Sequence, residues 1–204
     1  MISENTPAGY DLHSELKVAV SEAEHVLGSS NAPVTLVEYG DFGCRFCEEA
    51  SLVVKKLQVR FGQGLRFVFR HNPRGELHAH ARLAAEASEA AALQGKFWGM
   101  HDLLFSSPKA LEEADLVRYA MTLGLDAEKF SADLRSPAVA KHVRDDEVGG
   151  VHSVIITTPT FFINGGRFEG DARLRDARRS DQRGELRSVS AMPNRSAYAA
   201  RSLL

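Results

Sequence analysis

Glu38-Tyr39-Gly40-Asp41-Phe42-Gly43-Cys44-Arg45-Phe46-Cys47 holds both cysteines of a 204-residue chain, spaced as Cys-x-x-Cys. Upstream, Val34-Thr35-Leu36-Val37-Glu38-Tyr39 is β-branched, aliphatic and aromatic, the composition of a buried strand. Downstream, Val53, Val54, Leu57 and Phe61 recur at helical spacing among Glu48, Glu49, Lys55, Lys56 and Arg60. Gly62 is placed to end that helix in a left-handed conformation. The cysteine pair therefore falls where a strand hands over to a helix.

That position has a chemical consequence. The unpaired N–H groups of a helix's first turn favour an anion, and a thiolate there has its pKa drawn from about 8.5 into the range of roughly 3.5 to 7.5. Arg45 adds positive charge beside Cys44. Cys47, one turn on and on the same face, can reach Cys44 to close a small disulfide ring. Cys44 is thus expected to be the exposed nucleophile and Cys47 the shielded resolving thiol. A purely structural bridge is disfavoured, because so small a ring restrains an unfolded chain little. A zinc site completed by His78 and His80 is disfavoured because no second Cys-x-x-Cys exists. Neither a metal nor an organic cofactor is expected, and His78, His80 and His101 are read as surface or capping histidines.

With 44% hydrophobic and 25% charged residues, the composition is that of a globular protein, and the length suits one well-buried domain. No apolar run reaches the length of a membrane span, and Met1 to Pro7 has neither the basic start nor the apolar core of a secretory leader. A cytoplasmic location follows as the expectation, with a periplasmic or extracellular one as the alternative if Met1 is not the true start. The net charge of −2 points to no polyanionic partner, and no nucleic-acid binding is expected.

Residues 1–30 read as a lead-in with solvated Asp, Glu and His, and Gly28 to Pro33 as a turn-rich approach to the first core strand. Leu65 to His71 alternates as a second strand, ended by Asn72-Pro73-Arg74-Gly75. Strand, helix, strand is a βαβ unit with the Cys-x-x-Cys at the carboxyl end of its first strand, where open α/β sheets place their chemistry. Residues 76–148 are helical throughout. An alanine-rich helix runs from Leu77 to Leu93, then come Phe97 to Phe105, Leu116 to Leu123 closed by Gly124, and two shorter segments around Pro137. The chain returns to strand over Val154 to Ile163, with Asn164-Gly165-Gly166 as a hairpin signal and Pro159 either opening the strand or bearing a cis bond.

Taken together, Val34 to Phe42, the Cys-x-x-Cys, Arg66-Phe67-Val68-Phe69-Arg70, Gln94 to Phe105 and Thr158-Pro159-Thr160-Phe161-Phe162-Ile163-Asn164-Gly165 resemble the DsbA-like thiol oxidoreductases of the thioredoxin superfamily. The likeness is strongest to the bacterial branch that stands alone or is appended to sodium/proton antiporters. The resemblance implies an α/β thioredoxin fold interrupted by an inserted all-helical domain: residues 31–75 and 149–170 form the thioredoxin part and 76–148 the insert. Residues 171–204, with eight Arg, four acidic residues and no sustained helical period, depart from the family's closing strand and helix and read as a divergent, arginine-rich tail expected to be partly disordered. By position, Cys44 matches the attacking cysteine, Cys47 the resolving one, and Pro159 the family's cis-proline. Thr158 would then face the disulfide and offer its backbone to an extended substrate peptide. Glu38, six residues before Cys44, matches the buried acid that handles protons near the resolving thiol; on composition alone it could equally be an exposed strand residue. Arg45-Phe46 stands where strongly oxidising members carry proline and histidine, so this dipeptide is expected to tune the thiolate toward weaker oxidation. Thr157 stands where glycine is usual.

The implied activity is thiol-disulfide exchange with protein or small-thiol substrates, together with an unidentified thiol redox partner. Two other readings share the scaffold: a non-catalytic peptide-binding module that uses the groove beside Pro159, and a glutathione-dependent isomerase or transferase. Cys47 counts against the latter, which usually carries a lone Ser or Cys.

Overall fold

A computed structural model describes residues 15–21 and 24–168. The expectations for residues 1–14 and for the tail from 171 lie outside the described residues.

Strands β1 (His25–Leu27), β2 (Val34–Gly40), β3 (Leu65–His71), β4 (Thr160–Ile163) and β5 (Gly166–Arg167) form one mixed sheet in the order β1-β3-β2-β4-β5. β2 and β3 are parallel and joined by helix α1 (Arg45–Phe61), whereas β4 runs antiparallel to β2. Helices α2 (Ala81–Ala92), α3 (Phe97–Ser106), α4 (Glu113–Thr122), α5 (Ala127–Leu134) and α6 (Pro137–His152) occupy the chain between β3 and β4. This is the thioredoxin fold with a helical insertion.

Side-chain alternation explains how the sheet is covered. Leu36, Phe67 and Phe69 face α1 and the helical insert in one large core with Phe42, Val54, Phe97, Met100 and Leu104. Val37, Tyr39, Val68 and Phe162 face the other way and are covered by Leu16, Val20 and Ile155. Glu38 and His71 share the first face by parity, so both polar side chains point into the larger core.

Several boundaries differ from the sequence reading, each for a local reason. Leu77 is 69% exposed and lies in a turn, so α2 begins only at Ala81, where the small side chains that pack begin. Pro137 opens α6 at its first turn, where its missing N–H costs nothing, with the Ser136 hydroxyl accepting from Val139 N. α6 continues through Gly149 and Gly150 to His152, and both glycines lie against Tyr39. Val154 to Thr158 is not strand: Val154 has φ 54°, and β4 starts only after Pro159. Asn164 (φ 49°) and Gly165 (φ 85°) make the tight turn between β4 and β5, both with the positive φ that a primed hairpin turn requires.

The lead-in is more built than its composition suggests. Glu24, expected to be solvated, receives two hydrogen bonds of 2.9 Å from the buried Arg70 guanidinium, which also donates to Tyr39 Oη at 2.9 Å. β1 itself, only three residues long, pairs with β3.

Candidate active site

Cys44 is the residue before α1, in extended backbone with φ −88° and ψ 119°, and its carbonyl receives the N–H groups of Cys47 and Glu48 at 3.0 and 3.1 Å. The loop that presents it is held by Asp41. That buried carboxylate accepts from Gly43 N at 2.7 Å and Arg74 N at 2.9 Å, and pairs with His78 Nδ1 at 2.8 Å. His78 packs so closely over the loop that a Cβ at Gly43 would lie 2.6 Å from its own Cβ. Asp41 and His78 are therefore part of the site's frame; sequence reading assigns Asp41 no role and reads His78 as a surface or capping histidine. Phe42, one residue on, is buried among Phe69, Phe105 and His101 at ring distances of 5.3, 4.8 and 5.7 Å.

Both cysteines are free thiols. Cys44 is 5% exposed and Cys47 fully buried, so Cys44 is not the exposed thiol the sequence implied: it is packed in the core cluster with Phe42, between the start of α1 and the Thr158 loop. The Cys44 thiol is pulled down to about 5: the hydrogen bond from the Cys47 side chain is the largest cause, burial opposes it, and the backbone N–H groups of Cys47 and Phe46 and the Thr158 side chain assist. Burial, the hydrogen bond to Cys44 and the charges of Glu38 and Cys44 push Cys47 well above its ordinary value, against the backbone N–H of Asp41 at 3.4 Å from its sulfur.

Opposite α1, the Thr158–Pro159 peptide is cis, and the Thr158 carbonyl lies 3.4 Å from Cys44 Sγ. A carbonyl in that position accepts from the thiol and has nothing to offer the thiolate, so the low pKa comes mainly from the α1 side of the sulfur, led by the Cys47 side chain. The Arg45 and Phe46 side chains are exposed on the outer surface: Arg45 pairs with Glu49 at 3.2 Å and lies 5.5 Å from the Phe46 ring centre.

Glu38 is 1% exposed, on β2 directly behind the pair. Burial first, and the charge of Cys44 second, raise its carboxyl to about 8, and its Oε1 has no hydrogen-bond partner among the described residues. The exposed-strand alternative is thus removed. Glu38 borders a cleft of about 480 Å³ that opens past Ser51, Lys55 and Asp102, and His101 borders the same cleft. His101, expected at the surface, is buried; its Nδ1 meets Asp102 at 3.1 Å and its Nε2 is unpartnered. Burial holds this imidazole below its usual range and hence neutral near pH 7.

A Cys-x-x-Cys pair at the start of α1, faced by a cis-proline loop on a thioredoxin sheet, defines a class. Residues 20–180 match the thioredoxin family model, and the chain belongs to that family, in the DsbA-like branch of the superfamily. Among solved structures it is similar to a thioredoxin-like oxidoreductase from Silicibacter pomeroyi, with 28% identity, TM-score 0.66, and coverage of 79% of this chain and 94% of that one. BdbD from Bacillus subtilis, in its oxidised form, is similar at 26% identity and TM-score 0.69 over 82% of this chain and 94% of that one. Sequence relatives include the Na(+)/H(+) antiporter NhaA of Herminiimonas arsenicoxydans, 47% identical over 154 residues, which are 74% of this chain and 24% of the antiporter. NhaA 1 of Mycolicibacterium gilvum is 42% identical over 171 residues, 83% of this chain and 27% of that protein. The chain spans about a quarter of the length of these curated relatives. Among the described residues, no helix is long and apolar enough to cross a membrane.

Proposed function

We propose that the protein is a thiol-disulfide oxidoreductase whose nucleophile is Cys44. The observation that carries this reading is the placement of two free thiols one helical turn apart at the start of α1, with the Cys44 sulfur 3.4 Å from the carbonyl before the cis-proline, which fits the lowering of Cys44 to about 5 and the raising of Cys47. At neutral pH the pair holds one thiolate and one thiol, the ionisation state that disulfide exchange needs.

The Cys44 thiolate attacks one sulfur of a substrate disulfide. A Cys44–substrate S–S bond forms, the substrate's own S–S bond breaks, and its other sulfur leaves as a thiolate that takes a proton from solvent. Forming the mixed disulfide abolishes the Cys44 charge. That removes one of the two causes raising Glu38 and two of those raising Cys47. Glu38 then ionises more readily and Cys47 deprotonates more readily, so the carboxylate can take the Cys47 proton as that sulfur attacks Cys44. A Cys44–Cys47 bond forms, the second substrate thiolate leaves, and the substrate has gained two electrons. The cleft beside Glu38 lets water carry the proton away. Run backwards, the same steps oxidise a dithiol.

Thr158 and Pro159 form the wall opposite Cys44, and an extended peptide would pair with the Thr158 backbone there. Arg45 and Phe46, exposed beside the nucleophile, meet the substrate and tune its approach. Protein disulfides and small thiols are the substrate classes, with a further thiol protein or glutathione restoring the pair. In the cytosol expected from the sequence, the thiol pool would run the exchange toward reduction or isomerisation.

The test is turnover of a fluorescent mixed disulfide of glutathione. Cys44→Ser is expected to abolish it, and Cys47→Ser to leave a trapped adduct on Cys44 that mass spectrometry detects. Equal activity of wild type and Cys44→Ser would refute the assignment.

A further inference from the structure

Away from the cysteines, a second polar cluster is assembled from four separate elements. Glu89 of α2 is buried, and three imidazoles converge on its carboxylate. His25 Nε2 of β1 lies 2.6 Å and His71 Nε2 of β3 2.7 Å from Oε1, while His142 Nδ1 of α6 lies 3.2 Å from Oε2. The rings are fixed by aromatic neighbours: His25 stacks on Phe97 at 3.5 Å with 4° between planes and on His142 at 5.4 Å, and His71 stands edge-on to Phe69 and Phe97. Asp146 adds a carboxylate on His71 N at 2.8 Å.

We propose that His25, His71 and Glu89 form a binding site for a divalent transition-metal ion of the zinc type, with His142 available as a fourth donor. The three donor atoms lie within 4.8 Å of one another. Zinc bound at about 2.0–2.1 Å by imidazole and carboxylate needs donors roughly 3.3 Å apart, so each imidazole nitrogen would move out from Glu89 Oε1 by a fraction of an ångström while the two nitrogens settle within the 4.8 Å that already bounds the group. Two imidazoles and a carboxylate select zinc, cobalt or nickel over calcium and magnesium, which prefer all-oxygen cages. His71 Nδ1 is buried without a partner, so of the two ring nitrogens only the one that faces Glu89 is satisfied. A single hydrogen bond is weak justification for burying an imidazole fully; a metal–nitrogen bond at the same atom is a stronger one. His142 is the most exposed of the group and marks the entry side. The site would tie the sheet edge at β1 and β3 to the helical insert, a structural role independent of the thiol chemistry.

The experiment uses the full chain with Cys44→Ser and Cys47→Ser, which removes the thiols as competing ligands and separates this inference from the redox reading. Zn²⁺ is supplied from a chromophoric chelator. The expected result is uptake of one equivalent, weakened at least about tenfold by His25→Gln, which keeps a group able to hydrogen-bond Glu89 but removes a ligand. Should His25→Gln fail to fold, X-ray absorption of the zinc-loaded parent decides, with at least two imidazole nitrogens expected. No stoichiometric uptake, uptake indifferent to His25→Gln, or an oxygen-only shell would overturn the site.

Discussion

Two buried glutamates on one sheet face, Glu38 behind the cysteines and Glu89 beneath the histidines, have opposite charge states. Glu38 has an oxygen with no partner and is raised to about 8; Glu89 is met by three imidazoles and is held far below the usual carboxylate range. Burial acts on both in the same direction and is the largest single influence on each. Partners alone separate them. The difference teaches that a buried acid stays ionised where donors surround it and keeps its proton where they are withheld.

The largest effect that would sharpen this contrast is in Glu89→Ala. Removing the carboxylate strands His25, His71 and His142 around a buried void, and the expected loss is about 3–5 kcal/mol of unfolding free energy by denaturant titration. Its pH signature follows from the shifts. Glu89, depressed, contributes fully above about pH 4.5 and loses that contribution as pH falls below it. His71, raised, contributes fully below about pH 6.5 and loses it as pH rises through its folded value. The cluster therefore stabilises most between those limits, and Glu89→Ala should flatten that maximum. A variant within about 1 kcal/mol of wild type would break the comparison.

Glu38→Gln should act with the opposite sign. A carboxyl raised to about 8 is a burden that grows as pH climbs from its unfolded value, because the unfolded chain ionises freely and the folded one does not. Each pKa unit is worth about 1.4 kcal/mol, so the amide is expected to stabilise the reduced protein on the order of 3 kcal/mol at pH 7 while slowing resolution of the mixed disulfide. Cys44, depressed to about 5, gives the reduced wild type a contribution that rises over much of the same pH interval and masks this slope. Melting curves at pH 5 and pH 8 check it: a Glu38→Gln gain equal at both would contradict the raised carboxyl.

Much of this arrangement is legible in the chain itself. The run from Val34 to Cys47 is local, so strand, turn and helix start follow from neighbours in sequence, and the register of β2 fixes which way Glu38 points. Helix starts such as Ser136-Pro137 and turns such as Asn164-Gly165 are equally local. The residues misplaced by sequence are those whose partners are remote. His101 looks like a surface histidine until α3 packs it against Phe42 and Phe69. His25 and Glu89 are 64 positions apart, and Asp41 and His78 are 37, so no spacing rule brings them together. β1 is too short to show any period, and Val154 to Thr158 has strand composition but turns sharply before Pro159.

The proposed chemistry requires the start of α1 to make Cys44 a stable thiolate while Cys47 stays protonated. Thiolate absorbance near 240 nm, followed against pH in the reduced protein with Cys44→Ser as the control, tests it most directly. The account predicts a single step near pH 5 that disappears in Cys44→Ser, with Cys47 silent until pH exceeds about 9. A first ionisation at about 8.5, the value of an unperturbed cysteine, would contradict it.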